Sequence, residues 1–180
     1  MIGGRWKRSK LVVADRPGLR PTPDRVRETL FNWLGRDLTL WRCVDAFAGT
    51  GALGFEAASR GAATVLLLEH DAGLVARLLQ AKERLAAGMV EVRRGDALLS
   101  LERLAPASAD LVFIDPPFDA PLFDAALAAA SRVVTPGGWV FLEAPREWTD
   151  AMLAASGLHV HRHLKAGAVH AHLLGKTPAA

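Results

Sequence analysis

The stretch Asp45-Ala46-Phe47-Ala48-Gly49-Thr50-Gly51-Ala52-Leu53-Gly54 places glycines at positions 49, 51 and 54. It follows the apolar run Cys43–Phe47 and leads into the alanine-rich run Ala52–Arg60. A buried strand, a glycine turn and a helix in this order open a parallel α/β sheet. Glu69 closes the next apolar run, 20 positions after Gly49. That spacing puts an acid at the end of the second strand, beside the glycine turn.

Working outward, the alternation continues. Further strands are predicted at Thr64–Leu68, Val90–Arg93, Leu111–Ile114 and Trp139–Leu142. Helical runs at Ala52–Arg60, Gly73–Ala87, Leu98–Leu104 and Leu122–Val134 separate them. Pro136-Gly137-Gly138 reads as a turn before a strand. At the far end, Leu158–Leu164 and Ala168–Leu174 are joined by Lys165-Ala166-Gly167 alone. So short a link permits only an antiparallel pair. The expected fold is a Rossmann-like, doubly wound, mostly parallel seven-stranded sheet ending in an antiparallel hairpin.

Ahead of the sheet, residues 1–36 divide into a basic N-terminal arm and a helix. Leu11-Val12-Val13 suits a short strand and Pro17-Gly18 a turn. Thr22 suits an N-cap, Pro23 the first helical position and Asp24 the positive helix end. Val26, Leu30, Trp33 and Leu34 recur at helical spacing up to Gly35. Residues 1–36 carry nine Arg and Lys against three acids, so the net +3 of the chain conceals a basic arm on a mildly acidic body. A polyanionic partner is expected. Arg5, Lys7, Arg8, Lys10, Arg20 and Arg25 are the candidate phosphate contacts, with Trp6 among them as a ring for base stacking.

The 180 residues fit one domain, residues 37–180 forming its sheet-bearing body. A single cysteine, Cys43, excludes a disulfide framework and reads as a buried thiol. The longest apolar runs are too short to span a bilayer. The basic start lacks the apolar run of a signal peptide, so a cytoplasmic location is expected.

The glycine motif alone suits NAD(P) or S-adenosylmethionine equally, since both present ribose hydroxyls to an acid such as Glu69. Asp45 breaks the tie. A carboxylate just before the glycines repels a pyrophosphate but helps orient the cationic amino-acid end of S-adenosylmethionine. A separate substrate domain of the kind many dehydrogenases carry is not expected.

Asp115-Pro116-Pro117-Phe118 follows the predicted strand Leu111–Ile114, at the sheet edge where ligands sit. An exocyclic base amine is a poor nucleophile and must be held in line with the methyl group. Asp115 can accept one of its N–H bonds and the Pro116 carbonyl the other. Pro116 and Pro117 stiffen the loop. Phe118 offers a face for the base. Orientation supplies much of the rate, and no metal is required. Asp119 and Asp124 read as solvated.

At these residues the chain resembles the class I methyltransferases with an Asp/Asn-Pro-Pro-aromatic motif. More closely it is similar to the bacterial 16S ribosomal RNA guanine-N2 methyltransferases. The similarity covers nearly the whole chain and rests on Gly3–Trp6, Arg20–Leu34, Asp45–Gly51, Glu69 and Asp115–Phe118. It implies S-adenosylmethionine as cofactor, with Asp45, Phe47, Ala48, Gly49, Thr50 and Gly51 forming its loop. It also implies a folded ribosomal RNA or an assembling small subunit as partner. Glu69 would bind the ribose, with His70 beside it at the adenine. Asp96, in Gly95-Asp96-Ala97, would meet the adenine edge. The arm and the Thr22-Pro23 turn would close over the cofactor and guide RNA. The hairpin departs from the family in lacking tyrosine.

Other readings stay open. Adenine-N6 methylation uses the same loop, whereas a glutamine methyltransferase favours Asn at position 115. An oxidoreductase needs a hydride-transfer site that the sequence does not display. His159, His161 and His163 alternate along one hairpin strand, and His170 and His172 along the other. Alternation puts them on one face. A cross-strand zinc site is geometrically possible there, but an exposed sheet face without metal is the expectation.

Overall fold

The computed structural model describes residues 1–11 and 22–176. Seven strands form one sheet in the order β3-β2-β1-β4-β5-β7-β6. They are β1 Arg42–Asp45, β2 Thr64–Glu69, β3 Val90–Arg94, β4 Ala109–Ile114, β5 Val134–Ala144, β6 Leu158–Ala166 and β7 Val169–Lys176. The first five pair in parallel, and β7 lies antiparallel between β5 and β6. The expected hairpin is therefore present. The helices are α1 Asp24–Trp33, α2 Ala52–Ser59, α3 Ala72–Arg84, α4 Ala97–Arg103, α5 Phe123–Val133 and the short α6 Asp150–Leu153. None of them is long and apolar enough to cross a membrane.

Two apolar layers cover the sheet. One packs α1, α2 and α3 against Leu67, Leu111, Phe113 and Phe141. The other packs α4, α5 and α6 against Val44, Val112, Ile114 and Leu142. Strand residues alternate between the layers because successive side chains point to opposite faces. Buried Phe31, Phe113 and Phe141 follow one another across the first layer in tilted and edge-to-face contacts, with centroids 6.3 and 6.2 Å apart. Cys43 is buried and its thiol is pushed up by burial, as an inert core residue requires.

Several expectations are corrected. Thr22 does not cap α1: Pro23 holds the N-cap position, no side chain caps the helix, and Asp24 is its first residue. The Thr22 hydroxyl points to Asp115 instead. Pro136-Gly137-Gly138 lies inside β5. Ala109 pairs with Val134 and Leu111 with Trp139, so β5 carries three residues more than β4 between these pairs. The excess forms a bulge, in which Gly137 adopts φ +78°. A second register shift, between Val160 and Arg162 of β6, breaks the histidine alternation. His161 lies tilted against Trp139, with centroids 4.7 Å apart, while His163 stacks with His170 and His172. His172 is fully buried, so this is not simply an exposed sheet face.

Residues 1–11 lie against α2 and α3. Both carboxylate oxygens of buried Glu56 accept from the chain start, at 2.8 Å from the Ile2 amide and 2.7 Å from the Gly3 amide. Glu56 also accepts from Arg60 Nε at 2.9 Å. Trp6 is 7% exposed and belongs to the apolar layer with Phe31 and Leu38. Its amide donates to Ser59 Oγ at 2.9 Å. Trp6 therefore cannot stack on RNA as its sequence context suggested; a large ring gains more by covering the gap beside α2. The expected strand through Val12 and Val13, the turn at Pro17-Gly18 and the candidate contact Arg20 lie outside the described residues.

Candidate active site

The carboxyl ends of β1, β2, β4 and β5 bring the expected site residues to one edge. Asp45 ends β1 and is buried. Its Oδ2 accepts the Gly54 amide at 3.0 Å, tying the strand end to the first turn of α2. Burial pushes the Asp45 carboxyl up to about 7, although the Gly54 amide opposes the shift. Asp45 thus acts on the glycine motif through the Gly54 backbone amide.

The loop conformation explains its glycines. Gly49 and Gly51 have φ of +52° and +76°, in the left-handed region. A Cβ on Gly51 would lie 2.6 Å from the Phe55 ring, and one on Gly54 would lie 2.2 Å from Leu67 Cδ2. The third glycine therefore lets α2 rest directly on β2. Phe47, Gly49 and Thr50 remain half-buried, and Ala48 is buried.

Glu69 is 7% exposed. Its Oε2 accepts the Gly49 amide at 2.9 Å and its Oε1 accepts the Asp71 amide at 2.9 Å. His70 is exposed, with Nδ1 3.1 Å from Glu69 Oε1. Asp96 is exposed and caps α4 through the Leu99 amide at 2.9 Å; Ala97 is the first residue of that helix. A cleft of about 460 Å³ lies between Leu11 and α3 and is lined also by Gly49, Thr50, Leu74 and Arg77. It meets the candidate site only at Gly49 and Thr50; Asp45, Glu69 and Asp115 are not in its lining.

Asp115-Pro116-Pro117-Phe118 leaves the end of β4 directly. Asp115 and Phe118 are half-buried, Pro116 is buried and Pro117 is exposed. Thr22 Oγ1 donates to Asp115 Oδ2 at 3.5 Å. The Asp115 carboxyl is pushed well up by burial, then by the charges of Glu143 and Asp45.

Glu143, near the end of β5, was not singled out in the sequence. Ile114 pairs with Leu142 in parallel register, so the next residues, Asp115 and Glu143, lie side by side. Asp45 pairs with Leu67 and with Phe113, and Phe113 pairs with Phe141. Two-residue periodicity then places Asp45, Glu69, Asp115 and Glu143 on one face of the sheet. The signal for Glu143 was an acid inside an otherwise apolar strand, legible only once the register of β5 is known.

Four acids at one edge form a rim that disfavours a pyrophosphate and suits a ligand carrying positive charge. The donor set fits S-adenosylmethionine: Gly49 and Gly51 allow close approach, Glu69 offers an anchored carboxylate of the kind a ribose hydroxyl would donate to, and the acids suit a sulfonium and an ammonium.

Of the candidate RNA contacts, Arg5, Lys7, Arg8, Lys10 and Arg25 are exposed. Beside the carboxyl end of β5, where His170 pairs with Ala144, one ligand atom each from Glu147, His163 and His170 lies within 4.8 Å of the others, close enough for a metal ion. This set contains Glu147 and omits His159 and His161, unlike the alternation pattern.

Such a sheet, with its antiparallel β7 and with a glycine turn beside an Asp-Pro-Pro-Phe turn, has the architecture of the S-adenosylmethionine-dependent methyltransferases. A solved methyltransferase of that kind from Aquifex aeolicus shares this fold at 17% identity, with a TM-score of 0.60 over 85% of this chain and 92% of its own. The chain belongs to the family described as Conserved hypothetical protein 95, whose model matches residues 1–175. It is similar to the Ribosomal RNA small subunit methyltransferase D of Escherichia coli strain K12, at 42% identity over 80% of this chain and 70% of that protein. It is similar also to the protein of that name from Haemophilus influenzae, at 35% identity over 90% of this chain and 91% of that protein. The solved putative methyltransferase yhhF from Escherichia coli superposes with a TM-score of 0.86 at 36% identity, covering 99% of this chain and 98% of its own.

Proposed function

We propose that this chain transfers a methyl group from S-adenosylmethionine to the exocyclic N2 of a guanine in 16S ribosomal RNA, in the cytoplasm. The observation that carries this reading is the juxtaposition of the Asp115–Phe118 turn with the Gly49–Gly51 loop at one strand edge. The names of its relatives support a small-subunit ribosomal RNA as substrate.

S-adenosylmethionine supplies a methyl group on a cationic sulfur. Asp45 and the loop Phe47-Ala48-Gly49-Thr50-Gly51 would hold its amino-acid end. Glu69 and His70 would hold the ribose and adenine side, with Asp96 and Ala97 at the base edge. Asp115 accepts one N–H of the target amine and the Pro116 carbonyl the other, which leaves the nitrogen lone pair directed at the methyl group. Pro117 holds the turn in shape and Phe118 stacks on the base. Thr22 steadies Asp115 through its hydroxyl. The target base leaves its stack to reach Asp115, at a cost of a few kcal/mol. Arg5, Lys7, Arg8, Lys10 and Arg25 would recover that cost by phosphate contacts, which makes binding salt-dependent.

The test is methylation of ribosomal RNA from a strain lacking this enzyme, offered both naked and as small subunits, followed by nucleoside mass spectrometry. N2-methylguanosine is the expected product. N6-methyladenosine would replace this reading with the adenine alternative. Binding of NAD(P) in place of S-adenosylhomocysteine would overturn both.

A further inference from the structure

Glu143 has no part in the mechanism above, yet its side chain is 3% exposed and its Oε2 has no hydrogen-bond partner among the described residues. A buried carboxylate with an unmet oxygen is costly unless it holds a proton. The strand register fixes Asp115 as its neighbour on the same face. The Thr22 hydroxyl donates to Asp115 at 3.5 Å and also favours the ionised form of Glu143, against the effect of burial.

A hydroxyl has one proton to donate and can accept another. Thr22 can therefore donate to one ionised carboxyl while accepting from a protonated second one. Two ionised carboxylates side by side on neighbouring strands would repel each other, so one proton between them is the favoured state.

We propose that Glu143 is a positioning residue for Asp115: the two carboxyls and the Thr22 hydroxyl form one unit that carries a single proton at neutral pH and takes up a second during each turnover. The proposal rests on the methyl-transfer reading for its second half only. In that reaction an N–C bond forms, an S–C bond breaks, the sulfur loses its positive charge and the nitrogen sheds one proton. A unit that starts with one proton and one negative charge ends with two protons and none, so the charge of the site is balanced before and after the step. The single proton is shared between the two carboxyls; when it sits on Glu143, Asp115 is the carboxylate that accepts the amine N–H.

The groups facing Glu143 are consistent with this. Asp115 comes from the end of β4, and Asp45 of β1 acts on Asp115 from its other side; both are acidic. From β7 the paired residue is apolar Ala171, while His170 and His172 pair with Ala144 and Leu142 and so lie on the opposite face. No cation from these strands neutralises the pair. Burial pushes the Glu143 carboxyl up to about 7, with the Thr22 hydroxyl opposing.

The test begins with the full chain alone, labelled with 13C at the aspartate carboxyls and titrated by NMR. The Asp115 signal is assigned by its loss in Asp115→Asn. Removing the neighbouring charge with Glu143→Gln should lower the Asp115 midpoint by about one pH unit or more. Glu143→Asp, which restores an acid, should return it upward. An Asp115 midpoint that is the same in wild type and Glu143→Gln overturns the shared proton, whether or not the protein methylates any RNA.

The second measurement is the pH dependence of single-turnover methyl transfer. Its acid limb should move downward in Glu143→Gln by the shift seen in the NMR titration. A limb that stays in place while the Asp115 midpoint moves overturns the role in turnover. Failure of the methyl-transfer reading itself would appear as absence of methylated product from wild type, with the NMR result intact.

Discussion

Glu69 ends β2, and its Oε2 lies 2.9 Å from the Gly49 amide nitrogen, so the acid 20 residues after the glycine loop is bonded to that loop. One carboxylate thus shapes the loop and, in the proposed site, faces the ribose. Its amide bonds fix it before any ligand arrives. Glu69→Ala should weaken S-adenosylhomocysteine binding about 10- to 100-fold, the scale of a charge-assisted hydrogen bond. Calorimetry measures this, and an unchanged affinity would remove Glu69 from the cofactor site.

Asp115 should behave in the opposite way. Its proposed work is at the target amine, so Asp115→Ala should retain S-adenosylhomocysteine affinity while turnover falls by about 10²–10³. Parallel calorimetry and single-turnover assays separate the two. Loss of cofactor binding with intact folding would move Asp115 to a different role.

The Glu56–Arg60 pair makes a prediction about stability. Both side chains are buried, Arg60 lies over the Phe31 ring with its guanidinium 4.7 Å from the centroid, and Glu56 holds the Ile2 and Gly3 amides. Glu56→Ala leaves Arg60 without its partner and should cost about 3–5 kcal/mol in urea denaturation. Hydrogen exchange at Ile2 and Gly3 should accelerate. A loss below 1 kcal/mol, the range of surface pairs, would contradict the burial argument.

Asp45 predicts a pH dependence. Its folded pKa of about 7 lies above the ordinary value of 3.8. Between those values the folded protein holds a proton that the unfolded chain has released. The stability from that proton is full below pH 3.8 and is lost as pH rises through about 7. Asp45→Asn removes this dependence and keeps an acceptor for the Gly54 amide. Wild type should therefore lose stability relative to the variant between pH 5 and 8, by at most about 1.4 kcal/mol per pH unit. Parallel slopes in urea titrations would show that Asp45 is not held protonated. His172 acts in the opposite sense: burial lowers it to about 4, so stability falls as pH drops from 6.5 through that value.

Much of the fold was legible because parallel strands buried on both faces are written as apolar runs, such as Leu111–Ile114, and because glycine turns punctuate them. The loop 49–54 and Asp115–Phe118 were legible for the same local reason. What sequence could not show depends on contacts between distant residues. Trp6 sits among basic residues in the chain but meets Phe31 and Leu38 in the layer. Thr22 has the form of a cap, yet its partner is 93 residues away. Glu143 is an isolated acid in a strand until the register brings it to Asp115. The histidine alternation failed at a bulge that composition does not announce.

The bulge at Thr135–Gly138 has an evolutionary consequence. It absorbs three residues, and only with that offset does β5 deliver Glu143, rather than Leu142 or Ala144, next to Asp115. Inserting or deleting a single residue there would slide the strand by one step and turn its side chains to the other face. The acid would then move into the apolar layer under α5, and every residue of the loop and of the Asp-Pro-Pro-Phe turn would still be present. The length of this segment therefore places Glu143 beside Asp115 as surely as the identity of the acid does. A relative that varies it must change its strand partners or do without the paired acid.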